Sequence, residues 1–323
     1  MPFTRGPGPA TIRPMPTRTG LIDVSLPVGR GRRARVVERP GLWMPAAELD
    51  ALRDDLRAIA ERTLAAPLDY GVFRPGAALD DVIVTLVRQG ERPVAFNALA
   101  PLDVALAPNR RERVLHLGLV MVDPDMRASG LSWVLYGLTC FLVFARGGFR
   151  PLHVSSVSQV PAVIGMVAET FGDVFPDPRR PGRPSLTQRI IARRLVSVHS
   201  RAFGVGPEAR FDERRFVIEN GYTGGSEALR KSFEEATPHR DAVFNDYARA
   251  TLDYARGDDV VQLGRIDLAT ARDYLSSQVP RRRVAGLLAS AVATAALALA
   301  GRAVLPVAHW FDTSRPLGAL RRR

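Results

Sequence analysis

Residues 114–122, VLHLGLVMV, are apolar almost without a break. That pattern suits a central strand covered on both faces. A turn follows at Asp123-Pro124-Asp125-Met126, and then residues 128–145 run for eighteen positions without a charge, bracketed by Arg127 and Arg146. By length alone this run could span a membrane. A strand stands before it and another, residues 152–157, stands after Pro151. Strand–helix–strand spacing predicts instead a buried helix packed on a sheet.

The same reading extends along the chain. Leu49, Leu52, Leu56 and Ile59 recur at three- and four-residue spacing, which predicts an amphipathic helix over residues 45–64. Residues 81–87 and 94–99 form a hairpin about Gly90-Glu91-Arg92-Pro93. Residues 161–171 read as a helix, and a proline-stiffened linker leads to Ser185, which caps a helix reaching about residue 203. Beyond it we expect a short strand at 215–219, a glycine-rich turn at 221–225, a helix at 241–256, a short strand at 260–263 and a last helix at 269–275. Five prolines and three glycines in the first twenty residues deny that segment regular structure.

Composition changes the picture in two places. The single cysteine, Cys140, excludes an intrachain disulfide framework and a cysteine-rich metal site. The net charge of +12 lies in the ends: residues 1–40 carry +6 and residues 281–323 carry +7, so the middle is close to neutral. Basic ends favour anionic surfaces. No aromatic-interleaved basic patch or zinc-finger spacing points to nucleic acid. Residues 284–301 are uncharged and follow Arg281-Arg282-Arg283, but eight of the eighteen are alanine. A weak span, an interfacial helix and a packing helix all remain open for them. No apolar segment follows the N-terminus as a secretory signal would, so a cytoplasmic location is expected, with membrane association through the tail.

The start of the 128–145 run carries the candidate chemistry. The first N–H groups of a helix lack intrahelical partners and lie at the positive end of the dipole. Ala128, Ser129, Gly130 and Ser132 are small, and Arg127 adds a cation, so an anion such as a pyrophosphate could sit there. Good capping alone would use the same residues.

The succession of strand, Val122-Asp123-Pro124, Arg127-x-x-Gly130-x-Ser132 and long helix resembles the coenzyme A motif of the GNAT acyltransferase superfamily, Q/R-x-x-G-x-G/A, with Ser132 departing at the last position. The resemblance covers about residues 45–175. It implies a mixed-sheet α/β (α+β) fold that binds acyl-coenzyme A, with a helical C-terminal extension. Composition and pattern set beside that core at 41–176 a disordered basic arm at 1–40, a mixed helical and strand extension at 177–280 and a membrane-associating tail at 281–323. The resemblance further implies that Leu119, Val120, Met121 and Val122 contact the pantetheine arm through their backbone. Arg127, Ala128, Ser129, Gly130, Leu131 and Ser132 would hold phosphate, and Ser158 would stand near a usual asparagine. Acetyl- or acyl-coenzyme A is then the co-substrate, with no metal. Many members carry a tyrosine in the next helix as acid for the thiolate; here that position falls near Gly165 or Met166. His116 is the candidate catalytic base, against the plainer reading of a satisfied core histidine. His153, Ser156 and Glu169 have weaker claims.

The leading expectation is thus an N-acyltransferase acting by direct attack of an amine-bearing small molecule or lipid, without nucleic-acid partners. Two others stand beside it: an inactive coenzyme-binding scaffold tethered at the membrane, and an integral membrane protein spanning at 128–145 and 284–301. If the phosphate reading holds, Arg127→Ala and Gly130→Trp both weaken coenzyme A binding in calorimetric titration and leave the fold intact; unchanged affinity in both removes the cradle.

Overall fold

The computed structural model describes residues 21–289 except 75, 77, 78, 127, 128 and 132, together with 292 and 296. Among these, one mixed sheet of eleven strands runs in the order β1-β2-β3-β4-β5-β7-β11-β10-β9, with β6 paired to β4 and β8 to β11. In chain order, β1 (Asp23–Gly29) and β2 (Arg32–Glu38) form a hairpin. Helix α1 (Ala46–Thr63) leads to β3 (Ile83–Gln89) and the long β4 (Arg92–Ala107), then β5 (Arg110–Leu117) and β6 (Val120–Val122). Residues Trp133–Leu138 form a wide π-type helix that continues as α2 (Thr139–Arg146). After β7 (Leu152–Ser158), α3 (Pro161–Thr170) and β8 (Gly172–Phe175) come α4 (Leu186–His199), β9 (Arg210–Asp212), β10 (Val217–Glu219), α5 (Ala242–Thr251), β11 (Asp259–Ile266) and α6 (Leu268–Asp273).

The expected helices at 45–64, 161–171 and after Ser185 are present, the last with a complete capping box between Ser185 and Gln188. Leu49, Leu52, Leu56 and Ile59 are all buried. The domain boundaries differ from expectation. Residues 23–38 belong to the sheet rather than to a disordered arm, because Ala34 and Val36 face the core between outward arginines. Likewise β7 pairs antiparallel with β11 from Ser158↔Val260 to Leu152↔Ile266, so residues past 177 complete the same sheet. The start of the chain and most of 284–301 lie outside the described residues.

The apolar run 114–122 is interrupted rather than continuous. Ala100 pairs with His116, and Asn97 pairs with Val120. Between these pairs β4 has two residues, Ala98 and Leu99, while the facing chain has three, Leu117, Gly118 and Leu119. One extra residue is a β-bulge, and it flips every following side chain to the opposite face. Leu115 and Leu117 therefore pack with the Trp133–Arg146 segment, whereas Leu119 and Met121 pack with α1. The Ala98 N–H still finds the Leu119 carbonyl at 2.8 Å. Gly118 is required there, since a Cβ on it would stand 2.4 Å from the Ala98 carbonyl oxygen.

The uncharged run 128–145 is a core element over its described part. Asn97 donates its amide to the Leu135 carbonyl, and the Tyr274 hydroxyl donates to the Trp133 carbonyl at 2.7 Å. Tyr274 reaches that carbonyl because Gly137 leaves room; an added Cβ would lie 2.0 Å from its ring. Among the described residues no helix is long and apolar enough to cross a membrane.

Gly118→Ala should destabilise the chain by about 1–3 kcal/mol, since backbone must yield to the new methyl. A lower urea midpoint at unchanged slope checks this; an unchanged midpoint would mean that the bulge relaxes freely.

Candidate active site

The bulge has a direct consequence beside β7. Parallel pairing of β5 with β7 covers only Val114↔His153 to Leu117↔Ser156. Past that point β6 follows β4, β7 runs on to Ser158, and the two separate. A cleft of about 550 Å³ opens in the gap. Tyr70 and Phe203 reach it from the α1 and α4 face, and Tyr136 and Val163 from the opposite face. Gly118, Leu119, Val120 and Met121 form one wall, and Ser156 and Ser158 stand on the other.

The β6 wall is an open strand edge. Hydrogen bonds from Ala98 N–H to the Leu119 carbonyl and from Asp123 N–H to the Val94 carbonyl set the phase of its antiparallel pairing with β4. In that phase Met121 turns its backbone groups toward β4, and Val120 and Val122 turn theirs toward the gap. Such an edge is a ready partner for another extended, amide-bearing chain.

The buried polar groups divide into those that hold structure and one that stands apart. Asp123 is 1% exposed and lies at the end of β6. It accepts from Arg62 Nε and Arg92 Nη2, both at 2.7 Å, and from the Asp125 N–H at 3.0 Å. Burial alone would raise its pKa, but these partners carry it below the ordinary value. Asp123 thus fixes the entry to the loop that follows. Asp258 is similarly held by Arg256, at 2.8 and 2.7 Å, and by the Asp253 N–H.

Asp259, the first residue of β11, differs. It is 4% exposed, lines the cleft and has no cation partner among the described residues. Its Oδ1 accepts from the Tyr222 hydroxyl at 2.8 Å. Burial pushes its pKa up to about 7, opposed by the Tyr222 hydrogen bond and aided by the Asp258 charge. Burial and the Asp259 charge hold the Tyr222 phenol well above 10. A carboxyl that titrates near neutrality beside a phenol, both in a cleft, is equipped to take up and return a proton.

His116 also lines the cleft, but as a held, neutral group. Its Nδ1 is 3.1 Å from Ser155 Oγ and its ring lies 4.4 Å from that of Phe203. Burial lowers its pKa to about 3, so it is a weak proton acceptor near neutral pH. Ser158 Oγ accepts from the Val160 N–H at 3.1 Å, at the start of α3. His153 lies at the far end of β7, opposite Arg265, and Glu169 is engaged by Arg240 at 2.8 Å. Gly165 is occupied from outside: an added Cβ there would lie within 2.4 Å of the His239 ring. Phenols instead enter the cleft from Tyr70, Tyr136 and Tyr222.

Of the expected phosphate cradle, Arg127, Ala128 and Ser132 lie outside the described residues. Gly130 adopts a positive φ of 74°, which glycine takes without strain. Leu131 is buried in the core. Ser129 is gripped by Arg32, which donates to its hydroxyl at 2.9 Å and to its carbonyl at 3.2 Å. Arg32 is itself 4% exposed, so the β1–β2 hairpin braces this loop. Sequence reasoning missed Arg32, Asp259 and Tyr222. The signals available were an Asp pair before an apolar strand and a tyrosine inside a glycine-rich turn.

No family model matches the chain, and no curated protein matches it. Among solved structures, the chain is similar to a protein from Desulfovibrio desulfuricans assigned to the GNAT acetyltransferases, at 12% identity over 72% of this chain and 98% of that one, with a TM-score of 0.26. A likeness of that size carries no functional weight.

The titration of Asp259 has a sign that can be checked. Its pKa in the fold, about 7, lies above the ordinary carboxylate value of 3.8, so the folded state holds the proton longer. Stability from this group falls as pH rises from about 4 to about 7 and then levels. Asp259→Asn removes that dependence, so the variant gains on the parent across this window. Urea midpoints at both ends measure the gain; a gain that shrinks with rising pH would contradict a buried carboxyl without a cation.

Proposed function

We propose that this chain is an N-acyltransferase that moves an acetyl or longer acyl group from coenzyme A to an amine by direct attack. The observation that carries this reading is the open edge of β6 facing the separated end of β7 across a cleft that also holds Asp259. A pantetheine arm carries two amides and fits an open strand edge, as the resemblance of residues 122–132 to the GNAT coenzyme A motif implies. The loop braced by Arg32 follows directly after β6, where the phosphates would fall.

In this reading the backbone of Val120 and Val122 orients the donor. Asp259 takes the proton that the attacking amine must lose. The new N–C bond forms as the C–S bond breaks, and the electron pair leaves on sulfur as a thiolate. A phenol of the cleft, Tyr136 or Tyr222, returns a proton to that sulfur. Burial holds Tyr136 up at about 12, so it remains protonated and able to donate. The absence of a tyrosine near Gly165 is thereby met from other segments. Metal plays no part in this scheme.

Membrane contact through residues 281–323 belongs to the same proposal. Residues 281–289 are helical; Leu287 is buried beside Leu26 and Trp133, while Arg281, Arg282 and Leu288 are exposed. That arrangement presents cations and an apolar side chain together, as a lipid surface requires.

Calorimetric titration of the full chain with acetyl-, palmitoyl- and free coenzyme A tests the donor site. Micromolar binding is expected, and the order of affinities reports the acyl length. Asp259→Asn should then lower acyl transfer by roughly 10²–10⁴-fold with donor affinity kept, and the parent kcat/KM should rise through about pH 7. A folded chain that binds none of the three overturns the enzyme reading and leaves the scaffold.

A further inference from the structure

The cleft end that holds Asp259 also carries two cations. Arg230 and Lys231 line it side by side. Elsewhere in the fold arginines are commonly tied to carboxylates, as Arg35, Arg62, Arg88, Arg146, Arg215 and Arg256 are. Among the described residues no carboxylate lies within ion-pair distance of Arg230 or Lys231. Glu235, at the same rim, turns its carboxylate onto the Ser232 N–H at 2.9 Å. Lys231 is moreover the one lysine among 45 basic residues.

Gly257 sets where the Arg230 stem lies relative to Tyr222. A Cβ on Gly257 would lie 3.2 Å from the Tyr222 ring and 3.3 Å from Arg230 Cδ. The Arg230 stem and the Tyr222 ring therefore flank one glycine, and the Tyr222 hydroxyl meets Asp259. Both cations line the cleft that also holds the group that would deprotonate the amine. Cations on the wall of a cleft can hold an incoming anion through charge-assisted hydrogen bonds. Arg230 offers a planar fork to a carboxylate and Lys231 a point charge.

We propose that Arg230 and Lys231 hold a carboxylate of the acceptor, so that the acceptor is an amine bearing its own carboxylate, of the amino-acid type. This rests on the acyl-transfer reading and adds to it the class of acceptor.

The test uses the full chain, acetyl-coenzyme A and thiol release, with matched acceptors: phenethylamine against phenylalanine, tyramine against tyrosine, and cadaverine against lysine. The carboxylate-bearing member of each pair should be used at least about tenfold better in kcat/KM. In R230Q/K231Q that preference should vanish through the acceptor KM, while the KM for acetyl-coenzyme A stays within about twofold. Equal use of both members overturns the proposal, and so does acylation of no carboxylate-bearing member by a chain that binds acetyl-coenzyme A. A double variant that loses affinity for acetyl-coenzyme A but not for its 3′-dephospho form also overturns it and assigns the cations to the donor phosphate. A chain that binds no acetyl-coenzyme A instead fails at the acyl-transfer reading itself.

Discussion

One residue too many, placed at Gly118, governs the rest of this structure. Every buried backbone group needs a partner, and β4 can satisfy only one residue for each of its own. The extra residue therefore breaks the ladder, turns the following side chains over and carries β6 away from β7. Both faces of the run 114–122 still end up apolar-covered, which is why the run carries almost no polar residue. The open edge left behind is a liability for a sheet unless something pairs with it. Here it opens onto a cleft, away from contact with a second sheet.

The opposite face depends on a second departure from regularity. The π-type turn at Trp133–Leu138 leaves carbonyls without ordinary helical partners, and the fold supplies donors to them. Asn97 sits on β4 directly opposite Val120, beside the bulge, and bonds the Leu135 carbonyl; its Oδ1 accepts from the Thr85 N–H at 3.2 Å. Thr85 and Thr139 hydroxyls join the same cluster. This buried polar group, fully satisfied, ties β3, β4 and the helix into one arrangement. It also shows how residues 133–145 of the uncharged run can belong to a protein core.

Much of this was legible from local pattern. The spacing of Leu49, Leu52, Leu56 and Ile59, the hairpin about Gly90 and the Ser185 cap each act within a few residues and are present, though the hairpin turn is confined to Gly90-Glu91. The hairpin at 23–38 was concealed by its arginines, though Ala34 and Val36 alternate as a strand should. What buries Arg32 is Ser129, ninety-seven positions away. The bulge leaves no mark on an apolar run beyond Gly118 itself. Asp259 meets Tyr222 in the cleft, a contact between residues thirty-seven positions apart that local periodicity does not connect; the place of His116 on the strand was visible, but not its desolvation. Cys140 is buried in the core.

The pairing of β7 with β11 joins residues about a hundred positions apart, Ser158 with Val260, whereas β1 to β6 and α1 close within a much shorter stretch of chain. Loop-closure entropy makes such distant pairings late events in folding. During synthesis the half of the sheet ending at β6 can assemble before β11 has been made. The cleft thus marks a seam between an early-forming half and a late-forming half, and β7 waits at that seam with one side unpaired until β11 arrives.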